Sequence, residues 1–313
     1  MISVLYRGPL SSCNYGCEYC PFAKHVESDV EHYADAQALE RFVGWVEARR
    51  EQRIAVFFTP WGEALVRKRY QRALVRLTQM PNLEKAAIQT NASCRFDWVE
   101  ECDKSRLALW ITFHPSQTTR VRFLERCAEL QARGVRFSVG VVGLHENRDE
   151  IAALRAALPP EIYLWINAFK RRDDYYSAGD VEFLESIDPL FSINNQRHAS
   201  FGRACRTGDS VFSVDGEGAM RRCHFVPQII GNIYAPDWQS ALQKRSCPNF
   251  SCGCHIGYVH LDELQMDEIF DDGILERIPA RRAELLKRAK PTAIFQLEGT
   301  AFATRNGSES TPE

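Results

Sequence analysis

The chain has 313 residues, 45% of them hydrophobic, and its 39 Lys plus Arg against 41 Asp plus Glu leave a formal charge of -2. That length buries the core of one large α/β domain and an appendage, while interspersed charges of both signs give no sign of a broad surface for nucleic acid or anionic membrane. No apolar run approaches the ~20 residues of a membrane span, and MISVLYRG lacks the order of a signal peptide, so a cytoplasmic protein is expected.

Ile2 to Tyr6 predicts a first strand. The run CNYGCEYCPF follows, with Cys13, Cys17 and Cys20 spaced as CxxxCxxC. Three thiolates so placed can hold three corners of a cubane iron-sulfur cluster and leave the remaining iron open to an added ligand. A structural zinc site is the alternative, but such sites typically use CxxC or CxxxxC pairs closed by a fourth ligand, for which only His25 is near. Asp35 to Arg50 puts Leu39, Phe42, Val43 and Val46 on one helical face, with Asp35 as N-cap. A strand at 54–58, a helix at 66–78, and strands at 86–89 and 107–113 come next. A helix at 119–133 ended by Gly134, a strand at 135–142, a helix at 147–158 and a strand at 162–166 complete the series.

Strands that are apolar throughout and alternate with helices imply a parallel sheet covered by helices, with right-handed crossovers. Six β/α units over residues 1–195 are expected, and in such barrels working residues gather at the C-terminal strand ends.

The cysteine loop after a first strand resembles the signature of the radical S-adenosylmethionine (SAM) enzymes, in which the open iron of a [4Fe-4S] cluster is chelated by the amino and carboxylate groups of SAM. The resemblance implies the α/β fold of a partial (β/α)6 TIM-like barrel and places Tyr19 against the adenine. In FFTPWGEAL, Gly62 and Glu63 match the core of that family's GGEP motif, which holds the methionine ammonium, although Trp61 and Ala64 stand where Gly and Pro would be. QTNAS is similar to the family's TNG run, with Asn91 on the pocket floor; Cys94 reads as an inert buried thiol. WITFHPSQT brings His114 and Ser116 to the mouth, for the ribose or carboxylate, with a core histidine and a turn serine as equal alternatives. In GVVGLHE, the second half of the family's GxIxGxxE fits, so Val142 and Gly143 are the adenine contacts and Glu146 starts the next helix. Asn167, at the end of the sixth strand, faces ribose or substrate.

Five of the 11 cysteines lie between 205 and 254. Cys205 and Cys223 bracket a hairpin of Val211 to Val214 and Ala219 to Arg222, whose DGEG turn predicts positive φ at both central residues. Cys247, Cys252 and Cys254 follow in CPNFSCGC. This group resembles a shortened form of the SPASM or twitch extension of radical SAM enzymes and implies one auxiliary [4Fe-4S] cluster on four of the five thiols, with zinc the less favoured occupant. Residues 196–260 form this expected extension, 261–303 a C-terminal helical segment that covers the barrel or packs on the extension, and 304–313 a disordered tail.

By resemblance, the enzyme cleaves SAM reductively to a 5′-deoxyadenosyl radical and abstracts hydrogen, most simply from a peptide or protein as in ribosomal-peptide maturation. A small metabolite is the alternative, and a non-catalytic zinc or iron-sulfur protein the reading from another class. Flavodoxin or ferredoxin would supply electrons. The barrel begins at residue 2, so a peptide would come on a separate carrier protein, and the loop KRRDDYY at 170–176 is the most substrate-like surface, although such a charge run is commonly just solvated.

Overall fold

A computed structural model describes residues 1–22 and 25–280. The expected C-terminal helix beyond residue 280 and the tail lie outside the described residues.

Six parallel strands run in sequence order: β1 (Ile2–Arg7), β2 (Ile54–Phe58), β3 (Leu83–Thr90), β4 (Leu107–Phe113), β5 (Arg136–Val142) and β6 (Leu164–Asn167). Four helices link them: α1 (Asp29–Glu47), α2 (Lys68–Thr78), α3 (Arg120–Ala132) and α4 (Arg148–Ala157). Beyond β6, α5 (Ala178–Ile187), unforeseen in the sequence, is started by a Ser177–Asp180 capping box.

One boundary is corrected. Helix α1 begins six residues before Asp35, because Ser28 and Glu31 form a capping box there. Asp35 instead lies fully buried inside the helix, where it accepts from Leu10 N at 3.2 Å, Tyr70 Oη at 2.8 Å and Arg69 Nε at 2.6 Å. A helix interior leaves this carboxylate free to bond outward, which pins the segment just before the cysteine loop.

The strands are buried on both faces, as their unbroken apolar runs require. On the outer face Val4, Tyr6, Val56, Phe58, Ile88, Leu109, Val139 and Ile166 pack with the helices into the main core. On the inner face Leu5, Phe57, Ala87, Trp110, Tyr163 and Trp165 meet Ile256, Tyr258, Leu261, Met266, Phe270 and Leu275. The stretch 255–275 therefore packs into the concave face of the sheet.

After a two-residue strand β7 (His198–Ala199), the predicted hairpin appears as β8 (Val211–Asp215) and β9 (Ala219–Arg221), followed by β10 (Ile229–Asn232). Strand β8 pairs parallel to β1, with Val4 beside Phe212, so one sheet of nine strands runs β10-β9-β8-β1-β2-β3-β4-β5-β6. In the turn only Gly218 has positive φ, at +80°. The expected double left-handed turn does not form, because Asp215 accepts from Glu217 N and Ala219 N, each at 3.0 Å, and closes the loop with its own side chain.

Candidate functional site

The C-terminal ends of β1 to β6 open into a cavity of about 650 Å³, the size of a cofactor or small-ligand site. Cys13, Cys17 and Cys20 all line it, together with Tyr19 of the same loop. Their thiols are close enough to interact: burial raises the pKa of Cys13 first, and the neighbouring Cys17 and Cys20 add to it. Among the described residues no group of three or more cysteine, histidine or carboxylate side chains is gathered tightly enough to hold a single metal ion. His25 is not with the cysteines; its Nε2 lies 3.1 Å from Ser11 Oγ and 3.6 Å from Glu31.

The loop is laced to the strand ends residue by residue. Asn91 Nδ2 donates to Asn14 Oδ1 at 3.0 Å, Asn14 Nδ2 donates to Ser93 Oγ at 3.0 Å, and Gly16 N donates to Gln117 Oε1 at 2.8 Å. At its entry, the buried Glu27 accepts from Ser11 N and Ser12 Oγ, both at 2.6 Å. Glu27 carries no signal in the sequence, being a lone acid between a loop and a helix.

Gly62 and Glu63 sit against this loop. A Cβ on Gly62 would stand 1.8 Å from the Ser12 carbonyl oxygen, so only glycine allows the approach, and Glu63 N donates to that same oxygen at 3.2 Å. The Glu63 carboxylate is buried and accepts from Leu65 N at 2.9 Å, Thr90 Oγ1 at 2.8 Å and Asn91 N at 2.5 Å. Burial nevertheless pushes its pKa up to about 7, with those three bonds opposing the rise.

His114 lines the cavity, with Nδ1 2.6 Å from Tyr19 Oη and 3.3 Å from Cys17 Sγ. Burial pushes its pKa down to about 4, so the imidazole is neutral. Asn91, Val142 and Asn167 also line the cavity, whereas Ser116 and Gly143 do not. Ser116 is a turn residue whose Oγ accepts from Gln117, and the Gly143 carbonyl accepts from Tyr176 Oη at 2.7 Å. Cys94 packs in the main core, as an inert thiol would.

The rest of the lining was only partly visible in the sequence. Arg7, Trp61, Trp110, Trp165, His224 and His255 belong to it, and no motif assigns any of them a role there. Arg7 donates through Nε to Thr59 O at 2.7 Å and lies over Trp61 at 4.1 Å; Thr59 Oγ1 in turn is 2.8 Å from His224 Nε2. Lys170 and Arg171, from the charged loop after β6, complete it.

The later cysteines divide into two kinds. Cys252 feels the charge of Cys223, Cys205 and Cys247, and Cys223 that of Cys205 and Cys247. None of those four lines the cavity. Cys254, which also neighbours Cys252, lines the cavity itself.

No family model matches this chain, and no curated protein does. Solved structures do. Polyhistidine-tagged anSMEcpe with bound AdoMet superposes with a TM-score of 0.54 at 14% identity, covering 78% of this chain and 80% of that chain. This chain shares the fold of anSMEcpe. Native anSMEcpe with AdoMet and the Cp18Cys peptide gives 0.51 at 17% identity over 77% and 80%, and with AdoMet and the Kp18Cys peptide 0.53 at 13% identity over 78% and 81%. Among the described residues, no helix is long and apolar enough to cross a membrane.

Proposed function

We propose that the chain is a radical SAM enzyme. The observation that carries this reading is the meeting of the CxxxCxxC loop with Gly62 and Glu63 across a single cavity, where a glycine-only backbone contact fixes acid and thiols together. The donor set fits: three sulfurs on one wall suit three irons of a cubane, with the cavity open to the fourth. When bound, the cluster supplies one electron that cleaves the SAM sulfonium to methionine and a 5′-deoxyadenosyl radical.

The residues supply position and a dry surround. Glu63 in its ionised form receives the methionine ammonium. Val142 offers an apolar edge to the adenine and Asn167 a polar group to the ribose. Neutral His114 fixes Tyr19 beside Cys17 without adding charge next to the thiolates.

Cys205, Cys223, Cys247 and Cys252 would hold an auxiliary cluster, leaving Cys254 as the spare thiol. A peptide is the proposed substrate, presented by a carrier protein, with flavodoxin or ferredoxin as reductant. Support comes from the fold shared with anSMEcpe, which is solved with AdoMet and with the Cp18Cys and Kp18Cys peptides.

Anaerobically reconstituted protein given dithionite and SAM should release 5′-deoxyadenosine, and Cys17→Ala should abolish it. A colourless protein that binds only zinc and leaves SAM intact overturns the reading.

A further inference from the structure

Part of the cavity lining is cationic and has no counterion among the described residues. Of the residues lining the cavity, Arg7, Lys170 and Arg171 are basic and only Glu63 is acidic, and Glu63 is committed to Leu65, Thr90 and Asn91. Neither Arg7 nor Lys170 forms an ion pair with a described carboxylate. Arg7 spends Nε on the Thr59 carbonyl and its face on Trp61, so both terminal nitrogens are left toward the cavity without a described partner. Lys170 is held rigidly by the carbonyls of Asn194, Gln196 and Gly253, and it brings charge rather than a free donor.

A second observation points the same way. His255 lines this part of the cavity and is 4% exposed; its Nδ1 lies 3.3 Å from Tyr258 Oη, while Nε2, itself buried, has no hydrogen-bond partner among the described residues. A buried polar atom left unpaired beside a cavity costs about 1–3 kcal/mol, and a ligand that bonds to it removes that cost. Cys254 stands among these groups, and its sulfur attracts the Arg7 guanidinium.

We propose that the second ligand of this cavity, bound beside SAM, carries an oxyanion, a carboxylate or a phosphate, received by the terminal nitrogens of Arg7 under the charge of Lys170 and next to Nε2 of His255 and the thiol of Cys254. The inference rests on the radical SAM reading and narrows its substrate to an anionic one. A planar guanidinium with two free nitrogens matches the paired oxygens of either group.

Cys254 provides the reporter. In the full-length, anaerobically reconstituted protein, without reductant, its alkylation by anionic iodoacetate and by neutral iodoacetamide is followed by peptide mass spectrometry. The ratio of the two rates cancels the thiolate fraction and reads the local field alone. That ratio should exceed the Arg7→Gln value by about tenfold, as a focusing cationic cleft does. It should be kept by Arg7→Lys, collapse in 1 M salt, and persist with saturating SAM. Succinate and inorganic phosphate should compete with iodoacetate, and the one that protects at lower concentration tells carboxylate from phosphate.

A ratio equal to that of a free thiol overturns the proposal, as does a Cys254 that resists both reagents or loss of the preference when SAM binds. The salt arm needs no variant, so it stands even if Arg7→Gln fails to fold. Because neither SAM cleavage nor reductant enters the assay, a negative result here is separable from absent 5′-deoxyadenosine.

Discussion

Glu63 combines two opposed demands. On the proposed radical SAM reading, it must be buried to reach SAM and ionised to hold an ammonium. Three hydrogen bonds only partly offset its burial, which pushes the carboxyl up to about 7. Below that pH, binding an ammonium must first expel a proton. SAM affinity should therefore weaken by close to tenfold for each pH unit below about 7 and level off above about 8, measured by equilibrium dialysis. Glu63→Gln should bind weakly with a flat profile; a wild-type profile flat from pH 5.5 to 8.5 would show that the acid does not face the ammonium. Nearby, Ala92 takes a left-handed φ of +56° where the related TNG run has glycine. An L-residue there costs about 1–2 kcal/mol, part of which glycine returns to the unfolded chain as entropy. Ala92→Gly should raise stability by ~1 kcal/mol in urea denaturation, and no gain would mean that the Thr90 and Asn91 bonds to Glu63 hold the turn at no cost.

The contact between the cysteine loop and the loop after β2 works as one unit, because the Ser12 carbonyl receives Glu63 N while the missing Gly62 side chain lets it in. Gly62→Ala would drive a methyl into a carbonyl that no rotamer change can relieve. Stability should fall by about 1–3 kcal/mol, and iron retained after reconstitution should drop with it; wild-type iron and wild-type melting together would refute the unit. This half of the site was legible because its chemistry is written in short motifs: Cys13, Cys17, Cys20, Gly62, Glu63 and Asn91 each sit beside a strand end that periodicity marks. Arg7, His224 and His255 were not legible. They come from three distant segments, and only the parallel pairing of β8 on β1 and the return of residues 255–275 into the barrel bring them to one wall. Helix α1 shows the same limit on a smaller scale, since Asp35 has the residue type of a cap but the burial of a core hydrogen-bond hub.

At the scale of the molecule, the sheet is closed below the cavity by the segment that ends the described chain. Trp110, Tyr163 and Trp165 share one apolar cluster with Phe270 and Leu275. This packing is anchored by charge: Lys85 of β3 donates to Glu276 at 2.6 Å, Arg136 of β5 reaches Glu276 at 3.1 Å and Asp272 at 2.9 Å, and Ser138 Oγ donates to the Glu276 carbonyl at 2.6 Å. Glu276 is fully buried, and that burial raises its pKa against the pull of Lys85. Removing one partner of such a pair is costly because it leaves a charge stranded, whereas replacing both can be neutral. Lys85→Met should thus cost about 3 kcal/mol, the low end of the range because Arg136 still answers Glu276. The double variant Lys85→Met with Glu276→Leu should recover most of it. The denaturant midpoint should move with an unchanged slope, since the whole sheet unfolds as one body. If instead Lys85→Met split the transition in two, the 255–277 segment would be a separately melting lid rather than the inner half of the core.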